Sequence, residues 1–252
     1  MTRRRSNRAL HLTRPSRCGC NPRIPRAGSL TSRVVRPPRR APMTPTQLLS
    51  TRPVVFTLAL LSFACLLGQF LGLWTMHVFG CWVLPPATAL LVYVAYRNRD
   101  HTTGLTSAYT WIVQGTIAGV VAAAAYDLYR LPFVLTGAPL FKVFSRYGEL
   151  LLGSTEPRWL VHTLGWTYHF SNGAALGIMF LAMVSLFRRP SLFWGAVAWA
   201  LFIEVMLLLT PYTAFFGLTL NGRFLFLTAS AHLVFGLTLG YYCHRRLARV
   251  AA

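Results

Sequence analysis

RWLVHTLGWTYHFSNGAALGIMFLAMVSLF, residues 158–187, contains no Asp, Glu, Lys or Arg after its first residue. At about 1.5 Å per residue, a helix over this run is long enough to cross the ~30 Å hydrocarbon core of a bilayer. Within it His162, Gly165, His169, Asn172 with Gly173, and Gly177 recur at three- and four-residue steps, so they share one helix face. That face is polar and small and the remainder apolar. Because lipid does not solvate imidazole or carboxamide, the face is predicted to point into a helix bundle.

The rest of the chain fits the same frame. A composition of 54% hydrophobic and 12% charged residues, with several long uncharged runs, predicts an all-α, polytopic membrane helix bundle. Six spans are expected: Val54 to Met76, Val78 to Tyr96, Ala108 to about Tyr129, the opening stretch, Ser191 to about Thr210, and Phe224 to Cys243. Pro85 and Pro86 kink the second span or set its helical start. Between the third and fourth, Leu140, Phe144, Tyr147 and Leu151 fall on one helix face and Lys142, Ser145, Arg146 and Glu149 on the other. That pattern predicts an amphipathic helix lying in the membrane interface.

Three regions follow: a tail over 1–50, a six-helix transmembrane domain over 51–244, and a short basic tail over 245–252. Residues 1–42 carry twelve of the chain's 25 basic residues and none of its five acids, with Pro, Gly and Ser but no apolar period. This composition predicts disorder, and it is equally consistent with a start assigned too early, Met43 being the alternative. A lone C-x-C at Cys18 and Cys20 is a weak metal signal, and no nucleic-acid partner is expected. Arg97, Arg99, Arg188, Arg189, Arg245, Arg246 and Arg249 fall on the side of the basic N-terminus, so both termini are predicted to be cytoplasmic, as in a cell inner membrane.

Gly68 and Gly72, Gly115 and Gly119, Gly173 and Gly177, and Gly236 and Gly240 form four G-x-x-x-G pairs. Small residues four apart let two backbones approach closely. These faces are expected to serve packing within the bundle, a homo-oligomer or a membrane-protein partner.

The candidate polar site comprises His162, His169, Asn172, Glu204 and His232. Counted from the nearer helix ends, His169 lies about 16 Å deep, His232 about 14 Å and Glu204 about 9 Å. A carboxylate inside an apolar run costs several kcal/mol unless it is protonated or paired, which singles out Glu204. Asp127 and Arg130, three residues apart, read as an ion pair at the edge of the membrane that reaches water. His169 and His232 read as neutral partners in helix-to-helix hydrogen bonds or as ligands.

GTIAGVVAAAAYD in the third span, HFSNGAALGIMF in the fourth, WGAVAWALFIEVMLLLTPYTAFFGL in the fifth and SAHLVFGLTLGYY in the sixth resemble the YagU-like group of uncharacterised bacterial inner-membrane proteins. The resemblance spans roughly residues 108–243, with His169 and His232 at the group's histidine positions. It implies an inner-membrane protein without assigned chemistry.

Three functional readings stand. One is transport or sensing of a proton or small solute through Glu204, His169 and His232. Another is a redox protein in which His169 and His232 ligate a haem, or together with Glu204 a transition metal; without C-x-x-C-H, any haem is non-covalent. The third is an assembly subunit. An enzyme is not the expectation, since G-x-S-x-G, H-E-x-x-H and a clustered carboxylate pair are all missing.

Overall fold

The computed structural model describes residues 45–99, 107–184 and 192–248, all within a unit running from Arg40 to Ala252. The arginine-rich stretch up to residue 44, the centre of the polar turn after Arg99, the Arg188–Pro190 turn and the last four residues lie outside them.

Among the described residues the regular structure is helical: α1 (Pro45–Phe70), α2 (Met76–Trp82), α3 (Leu84–Arg97), α4 (Ala108–Leu135), α5 (Lys142–Leu152), α6 (Arg158–Val184), α7 (Leu192–Leu208), α8 (Tyr212–Phe215) and α9 (Gly222–Ala248). Four stretches are long and apolar enough to cross a membrane: Thr51–Phe70, Met76–Arg97, Ala108–Leu135 and Gly222–Arg246. α6 has the length, 27 residues, but its first half carries His162, His169 and Asn172. α7 is strongly apolar but only 17 residues long. Large apolar side chains such as Trp82, Leu128, Leu135, Trp194 and Phe226 stand on the outside of the bundle. Water would not tolerate such a surface on a monomer, whereas lipid does.

Two expected boundaries shift. α1 stops at Phe70, because Gly72 takes a left-handed turn at φ 68° and Leu73 N–H bonds back to Gly68 O at 2.8 Å. Gly68 and Gly72 are therefore not a packing face: Gly72 has nothing near it, and Gly68 lies under the Trp74 indole. In addition, α4 runs on through Pro132 to Leu135, so Asp127 and Arg130 sit inside a helix rather than at its end. Pro85 and Pro86 occupy the first turn of α3, where proline needs no hydrogen-bond partner, so they start that helix.

The other three glycine pairs lie in helix crossings. α4 packs on α6 with Gly115 and Gly119 facing Gly177 and Gly173; a Cβ added at Gly119 would overlap the carbonyl oxygen of Gly173. α9 packs on α7, where a Cβ at Gly236 would stand 2.7 Å from Val197 Cα and 3.0 Å from Ala200 Cβ, and one at Gly240 3.1 Å from Phe193 Cα. A further close approach had no G-x-x-x-G signature. Gly148 of α5 and Gly165 of α6 let those helices touch backbone to backbone, at Val161 O and Phe144 O. Around these crossings Trp111, Phe180, Leu181 and Leu239 are fully enclosed. A second apolar cluster, including Cys65, Met76, Phe144 and Tyr168, closes the end of the bundle covered by α5.

Overpacking a tight crossing costs about 1–3 kcal/mol or more. Gly119→Leu and Gly236→Leu are each expected to lower the thermal midpoint of the detergent-purified protein by several degrees. Gly222→Ala, at a position with open space around it, is the control and should leave it unchanged; equal midpoints for all three would contradict the crossings.

Candidate functional site

The small-residue ladders lead directly to the charged groups. On α4, four-residue steps run from Gly115 through Gly119 and Ala123 to Asp127; on antiparallel α6 they run from Gly177 through Gly173 to His169. Gly173 meets Ala123 one rung along, with 2.8 Å between a Cβ at the glycine and that of the alanine. On the next rung His169 Nε2 lies 2.8 Å from Asp127 Oδ2. The α7–α9 crossing repeats the arrangement: Ala200 faces Gly236, and one turn further His232 Nδ1 lies 3.0 Å from Glu204 Oε2. His232 Nδ1 also approaches Thr228 O at 2.9 Å. Both neighbours of that nitrogen are acceptors, so Nδ1 carries the proton.

The pairs meet around Tyr126, whose ring centroid is 6.2 Å from that of His169 and 5.1 Å from that of His232. Arg130 extends from the next turn of α4. It donates to Leu140 O at 2.8 Å, stands 3.6 Å from Asp127 Oδ1 and lies over the rings of Tyr126, Phe141 and Phe144. Asp127, Arg130 and Glu204 are 7%, 5% and 3% exposed, so the ion pair expected to reach water is buried. Oδ1 of Asp127 and Oε1 of Glu204 have no hydrogen-bond partner among the described residues. Phe144 of α5 stacks on the His169 ring at 4.1 Å, which fixes the imidazole plane.

These groups surround a cavity of about 100 Å³. Its polar lining is Arg130, His169, Asn172 and His232 together with the hydroxyl-bearing Tyr126, Tyr147 and Tyr212. Burial pushes the Tyr147 hydroxyl well above the ordinary tyrosine range, so it stays a neutral donor. Asn172 accepts from Ser62 Oγ at 2.7 Å through its carbonyl oxygen, and its side chain also pairs with Tyr168. The carboxylates of Asp127 and Glu204 stand behind their histidines and do not line this cavity.

Of the residues expected in one polar site, His169, Asn172, Glu204 and His232 come together and His162 does not. His162 is exposed, one turn beyond Gly165 where α5 crosses, and its Nδ1 pairs with Ser145 Oγ at 2.9 Å. The proposed metal set of His169, His232 and Glu204 does not close on one point, because each histidine faces its own carboxylate. Among the described residues no three His, Cys, Asp or Glu side chains gather as ligands. The cavity is also well below the roughly 300–1,000 Å³ of a usual organic-ligand pocket. Sequence reasoning missed Tyr126, Phe144 and Tyr212, which carried no motif. It also separated Asp127 from His169, although their shared ladder was legible. The chain matches no family model, no curated protein and no solved structure.

Removing one member of a buried ion pair leaves the other uncompensated, at a cost of about 3–5 kcal/mol. Asp127→Asn is expected to lose about 3 kcal/mol in equilibrium unfolding from mixed micelles. Asp127→Asn with Arg130→Met should lose less than the two single losses added together. Ser145→Ala, at the exposed His162, should change stability by less than about 0.5 kcal/mol. Strict additivity of the pair would show that Asp127 and Arg130 do not interact.

Proposed function

We propose that this is a six-span inner-membrane protein which moves or senses protons, or a small solute coupled to them, through the cavity at its two histidine–carboxylate pairs. The spans are α1, α2 with α3, α4, α6, α7 and α9. In this reading α6 and α7 cross with their polar groups turned inward, and α5 lies in the interface with Val143, Phe144 and Tyr147 inward and Lys142 and Arg146 outward. Arg97, Arg245 and Arg246 mark the cytoplasmic end, which leaves the cavity in the outward half. The resemblance to the YagU-like group accords with this placement.

The observation that carries the functional reading is the placement of two histidines from different helices, His169 and His232, in the wall of one cavity, each backed by a buried carboxylate, Asp127 and Glu204. A bundle that needed only stability would bury apolar groups there, since a buried ion pair is often no better than well-packed hydrocarbon. Ionisable residues at membrane depth are expensive and mark proton and ion pathways. Histidine paired to carboxylate is suited to the task, because its proton exchanges near neutral pH.

In proteoliposomes containing a pH-sensitive dye, the wild type should dissipate an imposed pH gradient faster than protein-free vesicles. Glu204→Gln, inserted in equal amount, should bring that rate down toward that of empty vesicles, since a positioned proton acceptor contributes about 10²–10⁴-fold. Equal rates for wild type, variant and empty vesicles would sink the transport reading.

A further inference from the structure

The cavity's lining is asymmetric in chemistry. Its polar lining residues are Arg130, His169, Asn172, His232 and the three tyrosines Tyr126, Tyr147 and Tyr212, while neither carboxylate lines it. A guanidinium carries five N–H donors, and the hydrogen bond to Leu140 with the ion pair to Asp127 uses a minority of them. Next to the cavity a narrow space of about 20 Å³ shares Tyr126, Arg130, Tyr212 and His232 with it. Glu204 lines this space. Beyond, sharing Leu140, Leu218 and Phe224, lies a hollow of about 330 Å³ whose lining includes Arg223 and, among the described residues, no acidic one. A cation would meet Arg223 first and Arg130 next; an anion would be drawn by both.

We infer that the cavity binds a small monovalent anion, of the size of chloride, nitrate or formate, and takes up protons with it. This deepens the proposed function and rests on it. A volume of about 100 Å³ is smaller than the roughly 150 Å³ of a cavity that admits benzene, and suits an anion of a few heavy atoms.

The proton coupling follows from the charge count and from the histidine tautomers. With neutral histidines, Arg130 faces two carboxylates, and an added anion would raise the surplus negative charge in a poorly solvated site. His169 spends Nε2–H on Asp127 and His232 spends Nδ1–H on Glu204, so the nitrogen left to each ring is a lone pair that repels an anion. Protonation turns that nitrogen into a donor and restores charge balance. The titratable and charged groups facing the histidines are Asp127, Arg130 and Tyr126 from α4, Tyr147 from α5, Glu204 from α7 and Tyr212 from α8. Affinity therefore rises as pH falls, by up to about tenfold per pH unit for each proton taken up.

The test is calorimetric titration of the full-length protein in detergent with sodium chloride, sodium nitrate and sodium formate, at about pH 5.5 and about pH 8, either side of the ordinary histidine pKa of about 6.5. Sodium gluconate and methylammonium gluconate are the controls. At least one small anion should bind saturably, at least about tenfold more tightly at the lower pH, while gluconate and methylammonium should not. Arg130→Gln should weaken binding by tenfold or more. Glu204→Gln removes a negative charge while keeping the shape of the side chain, so it should bind the anion at pH 8 at least as tightly as the wild type. If Arg130→Gln does not fold, the Glu204→Gln result decides alone. Saturable methylammonium binding, weaker anion binding in a folded Glu204→Gln protein, or no anion binding at pH 5.5 would each overturn the inference. Gradient dissipation that persists with gluconate as sole anion would overturn it while leaving proton transport standing; loss of dissipation under all conditions would remove both.

Discussion

The structure depends on the closeness with which α4 approaches α6 and α7 approaches α9. In lipid, apolar side chains gain little by leaving their surroundings for one another, so helix association rests on close van der Waals packing and on hydrogen bonds between helices. Gly115, Gly119, Gly173 and Gly177 supply the first crossing, and Gly236 and Gly240 with Ala196 and Ala200 the second. On each ladder the next position is polar. Backbones held this close bring a carboxylate on one helix within hydrogen-bond reach of an imidazole on the other. Packing and site are thus consecutive rungs of the same ladders, and a bulky residue on a lower rung should pull apart the pair above it.

Electrostatics explains why the pairs are tolerated. An isolated charge in such a setting would shift its protonation rather than stay ionised. Here Arg130 and Asp127 offset one another, the guanidinium lies over three aromatic rings, and the remaining carboxylate, Glu204, has the His232 imidazole. On the proposed reading, the surplus carboxylate is what makes the arrangement responsive to protons rather than merely neutral.

Much of this was legible in the sequence. Uncharged runs and helical periodicity announced an all-helical chain with membrane-length apolar helices, and the G-x-x-x-G pairs marked both principal crossings. His169, Asn172, Glu204 and His232 stood out as polar groups in apolar runs. Other features needed the third dimension. Asp127 and Arg130 looked terminal because the apolar run breaks there, yet α4 continues through Pro132, a residue usually read as a stop. His162 shares a helical face with His169, but its own turn of α6 lies beside α5 at the exposed edge of the bundle, where it pairs with Ser145. The α5–α6 contact through Gly148 and Gly165 rests on single glycines in different helices, which no spacing rule within one helix can reveal. Tyr126 is one aromatic among many until two imidazoles are placed beside it.

The most direct test of the central claim is dipolar recoupling by solid-state NMR in bilayers, between ¹⁵N-labelled histidine rings and ¹³C-labelled aspartate and glutamate carboxyl groups. Two close nitrogen–carboxyl contacts are expected, assigned by their loss in His169→Gln and His232→Gln. Gly119→Leu should remove the Asp127–His169 contact while sparing that of Glu204 with His232. Absence of either contact in the wild type, or both contacts surviving Gly119→Leu, would contradict the account.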